Sequence, residues 1–176
     1  MTYLDKMLLR PDIDAVCVCS PTYLHAPHTI AAMNAGKHVL VEKSMAINLR
    51  DATRMIITAR DKNVKLAVIF QKRTEEAPRR VKKAIADGLF GKMVFGDASL
   101  KYWRNQAYYD SADWRGTWDK EGGGASMTQG THGIDLLLFM MGGVESLFAW
   151  MDTLAHVRIE VEDVALALLK YKNGAY

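Results

Sequence analysis

The sequence predicts an α/β fold in two parts: a three-stranded parallel sheet with helical crossovers, then an α+β part with a mixed, mostly antiparallel sheet. Three observations carry this. Short β-branched and apolar runs alternate with helical stretches over residues 14–70. After Phe70 that alternation gives way to longer, partly alternating runs and an aromatic, glycine-bearing stretch. The 176 residues are 49% apolar and 24% charged, which suits a soluble chain able to bury a core.

DAVCVCS (14–20) reads as a buried parallel strand. Cys17 and Cys19 lie two apart on it, point to one face and cannot easily bridge each other, so they are expected as buried, reduced thiols. Reduced thiols point weakly to a cytoplasmic location. SPTYLHAPHTIAAMNAG follows as a helix, with Pro27 in its first turn and Gly36 just past its end. KHVLVEK (37–43) is the second strand. Asn48 is the expected N-cap of the next helix, with Asp51 in its first turn and Asn63 as its stop. VKLAVIF (64–70) is the third strand. Right-handed crossovers follow from this order, and ligands are expected beyond the carboxyl ends of the strands, at Ser20–Pro21 and Glu42–Lys43.

Residues 75–87 form a basic amphipathic helix closed by Gly88. With a net charge of only +3, its Arg79, Arg80, Lys82 and Lys83 read as a solvated face, and no nucleic-acid partner is expected. Residues 91–104 read as a long strand, 125–141 as a helix of roughly four turns ended by Gly142–Gly143, and 144–154 and 161–172 as two further strands. A boundary near 70–74 gives parts 1–71 and 72–176. No run of 18 apolar residues occurs and the N-terminus has no signal-peptide pattern, so no membrane partner and a cytoplasmic chain are expected. No metal-ligand cluster is visible.

Two separated blocks carry a resemblance. The first is AVCVCSPTYLHAPHTIAAMNAGKHVLVEKS, with the turn Ser20–Pro21–Thr22, then His25, then Ala32, Gly36, Lys37, His38, Val39, Glu42 and Lys43. The second is WRGTWDKEGGGASMTQGTHGIDLLLFMMG, with Gly122–Gly124, Thr128, His132 and Asp135. Together they resemble the Gfo/Idh/MocA oxidoreductases, the glucose-fructose oxidoreductase and inositol dehydrogenase family. The resemblance implies the C-terminal half of a Rossmann-type sheet followed by part of a substrate-binding and oligomerisation domain. It implies NAD or NADP as cofactor, a sugar, inositol or related polyol as substrate, and a homo-oligomer. Ser20, Pro21, Thr22, His25, Glu42 and Lys43 would hold cofactor; Lys43, Arg115, Trp118, Thr128, His132 and Asp135 would hold substrate; Lys43, His132 and Thr128 would be catalytic.

Three departures stand out. Ser44 replaces the usual Pro after Glu-Lys, and Thr128 replaces an Asp or Asn four residues before the His. The family's G-x-G-x-x-G turn does not occur in the 176 residues, and the matching half, on the order of 60 residues, would precede them. The sequence therefore reads as truncated at both ends relative to the family.

Oxidising a secondary alcohol needs a base for the hydroxyl proton and a nicotinamide for the hydride. His132 suits the first task, with an ordinary imidazole pKa of about 6.5. Lys43 could stabilise the developing alkoxide. Thr128, His132 and Asp135 at i, i+4 and i+7 would share one face of an α-helix. Asp135 has a second reading as a capping or pairing group, and Trp114, Arg115 and Trp118 have one as core. His25 and Tyr23 either line the cofactor or serve their helix, and Gln71 and Arg73 either face substrate or sit at a hinge. Two other functions stay open: an inactive fragment acting only through association, with residues 14–20 as an unpaired edge, and an NAD-dependent glycosidase.

Overall fold

Residues 3–176 are described by a computed structural model, and the chain divides into two units. The first holds the residues up to Ile69 together with Trp118–Gly122; the second holds Phe70–Thr117 and Gly123–Tyr176.

The first unit runs α1 (Tyr3–Leu8), β1 (Ala15–Val18), α2 (His25–Asn34), β2 (His38–Glu42), α3 (Leu49–Asp61) and β3 (Leu66–Ile69). The strands are parallel in the order β1-β2-β3. Their register sets Val16 beside Val39 and Val39 beside Leu66, so one face of the sheet is a row of branched apolar side chains. Val18, Val39 and Val41 on that face pack with Ala26, Ala32 and Met33 of α2, Met55 of α3 and Leu8 of α1. Asn48 caps α3 as expected, its side chain accepting from Asp51 N at 2.9 Å. Helix α1 was not anticipated, although Leu4, Met7 and Leu8 have helical spacing and join this core.

The two thiols expected to be buried are not. Cys17 and Cys19 are exposed. Helices α1–α3 cover the valine face, whereas Cys17 is in register with Leu40, and Leu40 with Ala67, on the opposite face. A purely apolar run predicted burial on both faces; within this unit only one is covered.

The second unit holds α4 (Glu76–Ala86), α5 (Gln106–Tyr109), α6 (Thr131–Met141), β4 (Val144–Asp152) and β5 (Val164–Tyr171). β4 and β5 pair antiparallel, with a register irregularity between Val144 and Ser146. Met141, Tyr171 and Ala175 form the small core, with Met93, Leu137 and Leu169 against it. The strand expected over 91–104 does not form. Its backbone has scattered partners, Gly96 N to Tyr176 O at 2.9 Å, Tyr176 N to Val94 O at 3.2 Å and Arg104 O beside His156 Nε2 at 2.6 Å, and a strand needs a continuous neighbour to make a ladder. Within the aromatic stretch Asn105 caps the one-turn α5, accepting from Tyr108 N at 3.1 Å.

Candidate functional site

In the first unit the loops after β1 and β2 are tied together by one imidazole. His25 is 2% exposed; its Nε2 lies 2.8 Å from Ser20 O and its Nδ1 2.7 Å from Ser44 O. Carbonyl oxygens only accept, and a neutral imidazole has one N–H, so the tautomer sets which of the two carbonyls the ring donates to. Ser20 Oγ meets His28 Nδ1 at 3.2 Å, and Pro21 leads into a short 3₁₀ turn at Thr22–Leu24. The Lys43–Ser44 peptide bond is cis. Lys43 N donates to Glu42 Oε2 at 3.1 Å. The Lys43 ammonium is half-buried. Burial pulls its pKa below the ordinary lysine value, against the pull of the Glu42 and Glu121 carboxylates, which favour the charged form.

Glu121 was missed in the sequence. It is 1% exposed and belongs to the same unit as Lys43. A carboxylate directly before three glycines reads locally as a solvated loop residue. Its coupling to Lys43 spans 78 positions of sequence (121 − 43), so no local pattern announces it. Trp118, in the same unit, is largely exposed.

The three glycines are packed against protein. A Cβ on Gly122 would lie 2.8 Å from Ile47 Cα, and one on Gly124 would lie 1.8 Å from Glu162 O. Only glycine fits either position. Glu162, 4% exposed, holds the turn that follows: its carboxylate accepts from Gly124 N and Ser126 N, both at 2.9 Å, and from the Ser126 hydroxyl. Ala125 N adds a bond to Glu162 O at 2.8 Å. An anion among the first N–H groups of a helix is stabilising. Glu162 too was missed, because VEDV reads only as the start of a strand.

Residues Ser126–Gly130 form a π-turn that runs into α6. A π-turn closes i→i+5 bonds, so the α-helical spacing expected for Thr128, His132 and Asp135 does not hold across it. Thr128 Oγ1 donates back to Gly124 O at 2.9 Å. Asp135 is gripped by Arg73, Nε to Oδ2 at 2.7 Å and Nη2 to Oδ1 at 2.6 Å, which is the pairing arrangement rather than a group presented to a ligand. Gln71 is exposed. Arg115 packs its guanidinium 4.1 Å from the Tyr108 ring and 4.4 Å from the Trp114 ring. Among the described residues there is no group of three or more metal-ligating side chains, and no helix is long and apolar enough to cross a membrane.

These contacts decide which part of a nicotinamide cofactor the residues fit. Gly122–Gly124 cannot cradle a diphosphate, since Ile47 and Glu162 fill the space a phosphate would need. The Ser20–Thr22 turn and Lys43 lie at the carboxyl ends of parallel strands, where ligands bind in such sheets.

Residues 1–70 match the model described as an oxidoreductase family with an NAD-binding Rossmann fold, and residues 79–176 match the GFO/IDH/MocA C-terminal domain. The chain belongs to the Gfo/Idh/MocA oxidoreductase family. It is 33% identical over 175 residues to the 1,5-anhydro-D-fructose reductase of Ensifer adhaerens, covering 99% of this chain and 52% of that protein. It is 31% identical over 174 residues to the myo-inositol 2-dehydrogenase of Thermotoga maritima, covering 97% and 50%. The crystal structure of the WlbA dehydrogenase from Bordetella pertussis, in complex with NADH and UDP-GlcNAcA, superposes with a TM-score of 0.92 at 40% identity, covering 98% of this chain and 53% of that one. This Gfo/Idh/MocA chain thus spans about half the length of the relatives it matches. Its parallel three-stranded sheet is the Rossmann-like part of the family fold.

Proposed function

We propose that this chain supplies the substrate side of an NAD(P)-dependent oxidoreductase acting on a CH–OH group of a sugar. The observation that carries this is Lys43, a half-buried lysine at the end of β2 whose protonation burial disfavours while the Glu42 and Glu121 carboxylates favour it. A lysine kept in that position at a cost to stability is better suited to binding and charge stabilisation than to packing.

Ser20, Pro21, Thr22, His25, Glu42 and Lys43 would hold the nicotinamide end of the cofactor, which accepts the hydride when bound. His132 takes the proton of the substrate hydroxyl. Lys43 donates a hydrogen bond to the substrate and stabilises negative charge that develops on it. Thr128 stands where relatives of this pattern carry an acid four residues before the His. For the substrate we propose a nucleotide-linked sugar acid. Support comes from the WlbA structure, a complex with UDP-GlcNAcA and 40% identical, against 33% and 31% for the relatives named for 1,5-anhydro-D-fructose and myo-inositol.

The test uses this chain completed with the G-x-G-x-x-G half that its relatives carry. With UDP-GlcNAcA and NAD or NADP, His132→Ala lowers kcat for NAD(P)H formation by ~10²–10⁴. An unchanged rate overturns the role of His132. No turnover of UDP-GlcNAcA beside turnover of a free polyol overturns the substrate class alone. A second reading, association without catalysis, is favoured by the open edge of β1 and the exposed Leu40 beside it. Titration of the 176-residue chain with NADH, followed by nicotinamide fluorescence, separates the two: no binding at millimolar cofactor favours association.

A further inference from the structure

The connection between β4 and β5 grips two other segments of the second unit. Thr153 Oγ1 donates to Val161 O at 2.7 Å and closes the connection as a loop. Along it, Val157 N donates to Gln106 Oε1 at 3.1 Å, Arg158 Nη2 to Asp110 Oδ2 at 2.6 Å and Glu160 N to Gly116 O at 2.7 Å. At its end Glu162 holds Gly124 and Ser126, in the turn that leads to Thr128 and His132. One loop thus anchors both the aromatic stretch and the start of the helix that carries His132. Arg158 has a φ of 58°, a left-handed backbone that a residue with a side chain adopts at a cost. Contacts, rather than local preference, keep the loop in this shape.

His156 is a titratable anchor of this loop. The side chains of His156 and Asp163 are 5% and 3% exposed. Nδ1 lies 2.8 Å from Asp163 Oδ2, and Nε2 lies 2.6 Å from Arg104 O. A carboxylate and a carbonyl only accept. A ring with one proton would therefore set a bare lone pair against one of these oxygens. Burial works against the charge of Asp163, but bonds from Leu154 N, the His156 ring, Ala155 N and His156 N outweigh it and hold the carboxyl below its ordinary pKa. Trp103 stacks on the imidazole with centroids 5.1 Å apart, an arrangement that favours a positive ring. Tyr109 meets the same ring at 4.8 Å and 65°. On the facing segments the Arg104 guanidinium lies over the Tyr108 ring, and Arg158 pairs with Asp110.

We propose that His156 is a positioning residue and the pH-sensitive pin of this loop: it carries protons on both ring nitrogens, clasps Arg104 O to Asp163, and loosens the loop when one proton leaves. The clasp is closed where Asp163 is ionised and the imidazole is doubly protonated, and it opens on the alkaline side of that range. The pin stands on geometry within the second unit; its effect on turnover rests on the function proposed above.

The first measurement needs no turnover. The 176-residue chain with isotope-labelled histidine is followed by long-range proton–nitrogen correlation spectra across a pH series, with His156→Gln to assign the signals. Both ring nitrogens of His156 are protonated at neutral pH, and the Trp103 indole signal moves with the loss of one of those protons. The wild-type spectra, assigned through bonds, decide the matter if His156→Gln fails to fold. An unprotonated ring nitrogen at neutral pH, or a Trp103 signal that ignores the His156 titration, overturns the proposal. The second measurement is the pH profile of kcat in the completed chain with UDP-GlcNAcA. There kcat falls about tenfold as His156 gives up its second proton, and His156→Gln, which does not titrate, lacks that fall. A fall that persists in His156→Gln overturns the positioning role. A chain that shows the linked His156 and Trp103 titration and transfers no hydride overturns the oxidoreductase reading and leaves the clasp standing.

Discussion

The turn after β2 and the turn before α6 carry Lys43 and His132, and they are built by different means. The first follows from backbone register. Three parallel strands with buried valines end at one level, and His25 ties two of those ends through carbonyl oxygens. The second depends on one distant carboxylate. Glu162, from the entrance to β5, supplies the acceptors that hold Gly124 and Ser126, and glycine is required where the two segments touch. The first turn depends on strand register and one imidazole; the second depends on a buried carboxylate and on glycine at a close backbone contact.

The largest effect belongs to the second turn. Gly124→Ala puts a methyl group into Glu162 O and is expected to destabilise the chain by more than about 3 kcal/mol, measured by urea unfolding; a loss under 1 kcal/mol would show that the contact yields easily. Next comes Arg73→Ala, which leaves the nearly buried Asp135 carboxylate without its partner and costs about 2–3 kcal/mol; Arg73→Ala with Asp135→Asn recovers much of it. In the first unit Asn48→Ala removes the cap of α3 for about 1 kcal/mol.

The smallest effect is a pH slope. The folded chain releases the Lys43 proton at lower pH than the unfolded chain does. Just below the ordinary value of 10.5 the unfolded chain therefore binds more protons, and stability rises with pH. The cost of burying the charge is complete below the folded-state pKa and gone above 10.5. Lys43→Met removes this alkaline gain; an identical pH profile in that variant would assign the slope to another group.

The same contrast explains what the sequence reveals. The strands β1–β3, the Asn48 cap and the end of helix α2 are legible because period, caps and stops are local signals. The π-turn, Glu121 and Glu162 are not, since each depends on a partner tens of residues away. Residues 91–104 show the reverse failure: an alternating pattern is present, but its backbone bonds are scattered and build no ladder. For Cys17 and Cys19 the apolar run was read correctly as a strand, whereas the covering of its second face is not encoded in the strand itself. For Asp135 the sequence left two roles open, and the arginine that engages it lies 62 residues away.

The central claim is that Lys43 is kept half-buried for chemistry rather than for packing. It is tested most directly by measuring kcat and thermal stability of Lys43→Met side by side in the completed chain. The expected result is a kcat lowered at least ~10²-fold, as for loss of one donor to a developing oxyanion, with a melting temperature equal to or above that of the wild type. An unchanged kcat, or a fall in activity matched by a fall in melting temperature, would contradict it.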